Sequence, residues 1–193
     1  TATAAEKDAY FGFIMVWLAK EYKKRGMTLQ LHFSVTRNVN PEIYASQGVD
    51  RGCDVFTNEA NADDVIAFLA RFTDEERPDM LLYTLNPNAV PMLAAITGAF
   101  RGVRMGAAWW FNDTACGIRE NLSRIAEYAC LGTHTGMLTD SRSFSSYSRF
   151  DFFRRLLCDY VGGLVERGEY DMAAARRLVA DVCYNNIKSQ LGL

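Results

Sequence analysis

Between positions 27 and 35 apolar and polar residues alternate, with Leu29, Leu31 and Phe33 set against Gln30 and His32. A period of two is the mark of a half-buried strand, so the spacing predicts a strand over 27–35 with Gln30 and His32 on one face and Leu31 on the other. Before it, Thr3 and Glu6 have capping-box spacing and the helical pattern runs on to Lys24, with Gly26 as its stop. A polar stretch from Arg37 to about Asn61 predicts a loop. Helix over 62–72, a short apolar strand over 80–85 and helix over 88–100 follow, Pro91 being tolerated in a first turn. A third strand is predicted over 102–111, a helix over 114–131, a fourth strand over 135–139, and two closing helices over 147–167 and 171–191.

Strands alternating with helices, joined by crossovers, predict an α/β fold with a parallel sheet. A doubly wound sheet and a (β/α)8 barrel both generate this order. No Gly-rich phosphate loop follows any strand, whereas each strand ends in polar or aromatic groups: His32 and Arg37, then Asn86, then Trp109 to Asp113, then Asp140 and Arg142. Functional groups gathered from several strand ends are the habit of the barrel's active-site face. Four strands are half a barrel, and a half barrel leaves two open sheet edges. The chain is therefore expected to be one domain over 1–193, the C-terminal half of a TIM barrel with two C-terminal helices, and by itself to be dimeric, molten or insoluble.

With 193 residues, 49% of them hydrophobic, there is enough apolar material for a sizeable core. A net charge of -2 gives neither nucleic acid nor an anionic membrane surface an electrostatic hold. The apolar run from Ala9 to Ala19 is far shorter than the about 20 residues that cross a bilayer, and acids rather than bases precede it. It reads as a deeply buried helix. Five cysteines without C-x-x-C spacing read as buried reduced thiols in a cytoplasmic protein.

The candidate chemistry lies in four places. Asp140 and Arg142 are two apart after a strand-like run, and alternation sets them on one face. A carboxylate beside a planar cation suits a metal or an oxygen-rich anion, although a local ion pair or helix cap explains the spacing equally well. His32 is a candidate ligand or a hydrogen-bonded core histidine. Arg37 is a candidate anion contact or a loop brace. Trp109 and Trp110, in Trp-Trp-Phe-Asn-Asp, form either a sugar-binding wall or core packing followed by an Asn/Asp helix cap.

Several stretches, in one order along the chain, resemble uronate (glucuronate) isomerases of the amidohydrolase superfamily in their C-terminal portion. They are Leu29-Gln-Leu-His-Phe with Arg37-Asn-Val-Asn, Tyr83-Thr-Leu-Asn-Pro, Trp109-Trp-Phe-Asn-Asp, Gly136-Met-Leu-Thr-Asp-Ser-Arg-Ser-Phe, Tyr147, Phe153-Arg-Arg and Cys183-Tyr-Asn-Asn. The resemblance implies aldose-ketose isomerisation of D-glucuronate to D-fructuronate, and of D-galacturonate to D-tagaturonate. It also implies a divalent metal, zinc before others, held by Asp140 and by His32, with the remaining ligands in an N-terminal half not present here. Asp140 would be the catalytic proton-transfer group; Arg142, Arg37, His32, Trp109 and Trp110 would contact substrate, and His32 serves either metal or sugar. The family's His-x-His pair is absent, which leaves this chain expected to be inactive alone. A hexuronate is the implied partner, with no nucleic acid and no membrane, and a homo-oligomer is compatible with all of this. A metal-dependent hydrolase of the same superfamily, or an inactive structural or binding half, are the alternatives.

Overall fold

The computed structural model describes residues 2–58, 61–140 and 143–193. Helix α1 (Ala4–Lys24) begins where the capping box places it: the Thr3 side chain accepts from the Glu6 amide and the Glu6 carboxylate accepts from the Thr3 amide. Strand β1 (Leu29–Phe33) follows and leads directly into a two-residue strand, β2 (Val35–Thr36). Next come α2 (Pro41–Gln47), β3 (Val55–Phe56), α3 (Ala62–Leu69), β4 (Met80–Thr84), α4 (Val90–Ala99) and β5 (Val103–Met105). The chain continues with α5 (Ala115–Tyr128), α6 (Ser148–Glu166), α7 (Met172–Ala180), a π turn at Asp181–Asn185, and α8 (Asn186–Leu191). Among the described residues β1, β4 and β5 form a parallel sheet in the order β1-β4-β5, and β2 pairs antiparallel with β3.

β4 is central and buried on both faces, as its unbroken run Met80-Leu-Leu-Tyr-Thr84 requires. Leu82 and Met80 are almost wholly withdrawn from water, and each such side chain stabilises the fold by about 1.5–3 kcal/mol. β1 is covered on one face only: Gln30 and His32 stand exposed while Leu29 is buried, the partition that the alternation predicts. Helices α4 and α5 lay Leu93, Ile96, Ile118, Leu122 and Ile125 in the core, and α6 adds Leu157 and Val161.

Five expectations are corrected. No strand forms over 135–139. Gly136 lies in the left-handed region at φ 79°, and its amide is already spent on the Nδ1 of buried His134 (3.0 Å). A left-handed residue without a free N–H breaks an extended ladder. A Cβ at Gly136 would also meet the Val182 carbonyl at 2.7 Å, so the segment is bent beneath the closing helices. The third strand stops at Met105 rather than running to Phe111, although the Gly106 amide still reaches the Leu82 carbonyl at 2.8 Å.

The stretch after Arg37 is not all loop. Asn40 accepts from the Glu42 and Ile43 amides and Pro41 sits in the first turn, which is a complete start signal for α2. Helix α1 is not deeply buried: of its residues only Ala19 is buried, and Tyr10, Phe11, Phe13 and Trp17 are each more than half exposed. Its apolar residues point in every direction, so the side that presents Val16, Ala19 and Tyr22 to the core cannot also hide the aromatics. Nor are the cysteines buried; all five are free, and Cys116, Cys130 and Cys158 are exposed. No helix among the described residues is long and apolar enough to cross a membrane.

Candidate active site

Parallel strands end on a common side, and here the segments leaving β1, β5 and the 135–139 run bring their polar residues to one cleft of about 500 Å³. Arg37, Trp109, Trp110 and Asp140 line it together with Asp50, Asp54, Asp113, Thr139 and Arg149. His32, at the end of β1, adjoins it. Its ring lies 4.3 Å from that of Trp109 and 4.4 Å, edge-on, from that of Tyr83. Partial withdrawal from water lowers the His32 pKa below the ordinary imidazole value, and the negative charge of Asp140 partly offsets this. The imidazole is thus neutral at pH 7 and feels the carboxylate: the structure brings these two expected residues to one place.

Burial pushes the neighbouring Tyr83 hydroxyl up to about 12. It donates to Gln30 Oε1 at 2.8 Å, which ties β4 to the exposed face of β1. Asn86, the polar residue ending β4, has a structural part. It is buried, caps the turn at Asn88 and donates to the Thr57 carbonyl and to Asn58 Oδ1.

Arg37 bonds Asp50, lies 3.6 Å from the buried Asp54 carboxylate and places its guanidinium 5.2 Å from the centre of the Trp110 ring. Its charge is therefore largely compensated before any ligand arrives. Across the cleft Arg149, in the first turn of α6, bonds Asp113. Arg142 and its neighbour Ser141 fall outside the described residues. Asp140 itself lies at φ 40°, in the left-handed region.

Among the described residues, five that are not glycine have positive φ: Ser34, Asn38, Asp50, Trp110 and Asp140. All five lie in segments that follow β1 and β5 or bear Asp140, and three of them line the cleft. Asn and Asp tolerate this region, whereas a bulky Trp at φ 54° is strained. Such strain costs of order 1–3 kcal/mol and persists only where the surroundings over-determine it. Here they do. The Trp110 ring stacks on Phe111 and leans on Trp109, and the next residue but one, buried Asn112, donates to the Thr84 carbonyl at 2.9 Å. The cap of α5 is Thr114, which accepts from the Gly117 amide, and not Asn112 or Asp113. Asp113 is thereby left to face Arg149.

The residues that sequence reasoning missed are Asp50, Asp54, Asp113 and Arg149. Asp113 had a visible signal, since it ends the Trp-Trp-Phe-Asn-Asp stretch. The other three are brought to the cleft by tertiary placement alone. For a metal, His32 and Asp140 are a compatible donor pair, a neutral imidazole with a carboxylate. Among the described residues no cluster of three or more His, Cys, Asp or Glu gathers, so these two would supply only part of a coordination shell.

The parallel sheet and its covering helices place the chain among the α/β proteins, with the aromatic pair, Asp140 and two ion-paired guanidiniums in one cleft. The particular family is shown by comparison. The model of the glucuronate isomerase family matches residues 1–191, and the chain belongs to that family. It is 39% identical to a uronate isomerase of Marinomonas sp. over 98% of this chain and 42% of that protein. It is 40% identical to the uronate isomerase of Halalkalibacterium halodurans over 96% of this chain and 41% of that one. The crystal structure of uronate isomerase from Thermotoga maritima superposes with a TM-score of 0.92 at 34% identity, covering 98% of this chain and 42% of that one. The chain thus spans about two-fifths of the length of the curated relatives it matches.

Proposed function

We propose that these residues form the C-terminal half of a (β/α)8 barrel in a metal-dependent uronate isomerase of the amidohydrolase superfamily, which interconverts D-glucuronate and D-fructuronate in hexuronate catabolism. The observation that carries the reading is the convergence of His32, Arg37, Trp109, Trp110 and Asp140 on one cleft at the ends of parallel strands. Aldose-ketose isomerisation removes a proton from C2 of the open-chain sugar and delivers one to C1. It needs a base near C2, a stabiliser of the developing oxyanion and a clamp for the distant carboxylate.

Asp140 is the base. Its carboxylate stands at the cleft's edge within electrostatic reach of His32. The neutral His32 offers a lone pair to a metal or a hydrogen bond to a sugar oxygen. Trp109 and Trp110 present ring faces suited to the C–H side of a sugar. A divalent ion, zinc for preference, would be held in part by His32 and Asp140 and would polarise the carbonyl and hydroxyl oxygens when bound.

The direct test is incubation of the protein that carries this chain with D-glucuronate, followed by NMR for the ketohexuronate. Hydrolysis of a lactone or amide panel without ketose formation would move the assignment to a superfamily hydrolase. Arg142 is the proposed carboxylate clamp, since the charge of Arg37 is already met by Asp50 and Asp54. Arg142→Met should raise KM for the uronate by about 10- to 100-fold, the worth of a charged hydrogen-bonded contact, with a smaller change for the uncharged aldose. Equal shifts in KM for the two sugars would remove the clamp.

A further inference from the structure

The imidazole of His32 stands on the exposed face of β1, and no hydrogen bond to another described residue holds it. Two rings hold it instead. Tyr83 lies edge-on at 4.4 Å and Trp109 tilted at 4.3 Å, while those two stand 6.5 Å from one another. The imidazole is therefore met from two directions. Its neighbours differ in setting. Trp109 is half-buried at the border of the cleft, in the segment that follows β5, whereas Tyr83 is buried in the central strand β4. Tyr83 is also the register partner of His32 across the parallel pair of strands.

Tyr83 is held more closely than core packing requires. A Cβ on Gly106 would lie 2.0, 2.3 and 2.4 Å from the Cε1, Cζ and Cδ1 atoms of the Tyr83 ring. Gly106 is not among the glycines of positive φ, so the close approach of the ring, and not a turn, is what demands glycine. Gly106 is itself fixed to β4, because its amide donates to the Leu82 carbonyl at 2.8 Å. At the tip of the ring the hydroxyl donates to Gln30 Oε1 at 2.8 Å, and Gln30 shares the exposed face of β1 with His32. The Tyr83 side chain thus has a seat and a tether. A side chain that meets a ligand must be oriented within about 10–20°, and a histidine usually gains this from a hydrogen bond on its other ring nitrogen. Here a locked ring stands in that place.

We propose that Tyr83 is a positioning residue for His32: its ring, seated on Gly106, fixes the direction in which the imidazole faces the cleft. The proposal deepens the isomerase reading and rests on it. Tyr83 touches neither sugar nor metal in this scheme and acts only through His32. Its effect must therefore disappear when the imidazole is removed. It must also appear when the ring is displaced without being removed.

The experiment uses the intact isomerase and D-glucuronate. Tyr83→Leu should lower kcat/KM by about 10- to 100-fold, the worth of a group misplaced by about 1 Å. Tyr83→Phe keeps the ring and its seat, and should stay within about threefold of the parent, the worth of one hydrogen bond to an exposed side chain. In a His32→Asn background Tyr83→Leu should cost less than about threefold more, since a residue that acts through another has no independent effect. Gly106→Ala pushes the ring aside without removing it. It should depress kcat/KM in the parent and add little in the Tyr83→Leu background, where the ring it strikes is gone. NMR of the isotope-labelled His32 imidazole gives a reading without turnover. Its signals should move in Gly106→Ala, which leaves both neighbouring rings in the molecule, and stay in place in Gly162→Ala, where a Cβ meets nothing within 4 Å. Gly106→Ala carries the test where Tyr83→Leu folds poorly. An equal loss from Tyr83→Leu with and without His32, or an unmoved His32 signal in Gly106→Ala, would overturn the proposal. Failure of the parent protein to isomerise the uronate, with the His32 signal still responding, would instead overturn the isomerase reading, so the two failures are distinguishable.

Discussion

Asp140→Asn should lower kcat for uronate isomerisation by about 10²–10⁴, the usual worth of a general acid-base group, while the protein folds and melts as before. The substitution isolates the chemistry because of the backbone. Asp140 lies at φ 40°, and Asn is among the few residues that enter the left-handed region at little cost. The side chain is exposed at the edge of the cleft, so the amide buries no unpaired polar group. What disappears is the carboxylate, and with it both the proposed base and the negative charge that partly offsets the desolvation of His32. The His32 pKa should therefore fall further in the variant, and NMR titration of the imidazole reads this independently of turnover. Circular dichroism and thermal melting check the fold. Near-full turnover in Asp140→Asn would take this residue out of the mechanism.

Much of this arrangement is legible in the chain itself, for identifiable reasons. The capping box Thr3/Glu6 and the alternation around His32 are local codes, and local codes are read without knowing the fold. Apolar β4 was equally plain, because a strand buried on both faces has no polar position to confuse it. Misreadings arose where a tertiary contact overruled the local pattern. The 135–139 run has the apolar character of a strand, yet the His134 ring takes the Gly136 amide that a ladder would need. Helix α1 has the composition of a buried segment, yet only the side around Ala19 finds a partner among the described residues. The site divides the same way. His32 stands in β1, and Arg37, Trp109, Trp110 and Asp140 follow runs with strand-like patterning, which is what makes them visible in the sequence. Arg149 comes from a helix that begins beyond the last of these segments, and no spacing rule connects it to Asp113, 36 positions earlier.

The geometry of the aromatic wall depends on a residue that touches no ligand, and this gives the second large effect. In Gly117→Ala the added Cβ would stand 2.2 Å from the Asn112 carbonyl oxygen and 2.8 Å from its carbon, so backbone must move. Alanine in a helix gains about 1 kcal/mol over glycine, whereas forcing a close-packed backbone apart costs typically 1–3 kcal/mol or more. The clash should win, since Asn112 is held from its other side by its bond to the Thr84 carbonyl and cannot retreat freely. Melting should fall by several degrees, at roughly 2–4 °C per kcal/mol for a chain of this size. The displaced turn also carries Trp110, whose positive φ is tolerated only while its neighbours hold it beneath Arg37. Tryptophan fluorescence should shift with the loss of stability, and uronate turnover should drop although Gly117 lies outside the cleft. Gly162→Ala is the matched control: it sits within α6, a Cβ there meets nothing within 4 Å, and the same mutation should be neutral or mildly stabilising. Should both alanine variants melt together, the turn at Trp110–Asn112 has enough slack to absorb a methyl group, and the strain at Trp110 would need another source of support.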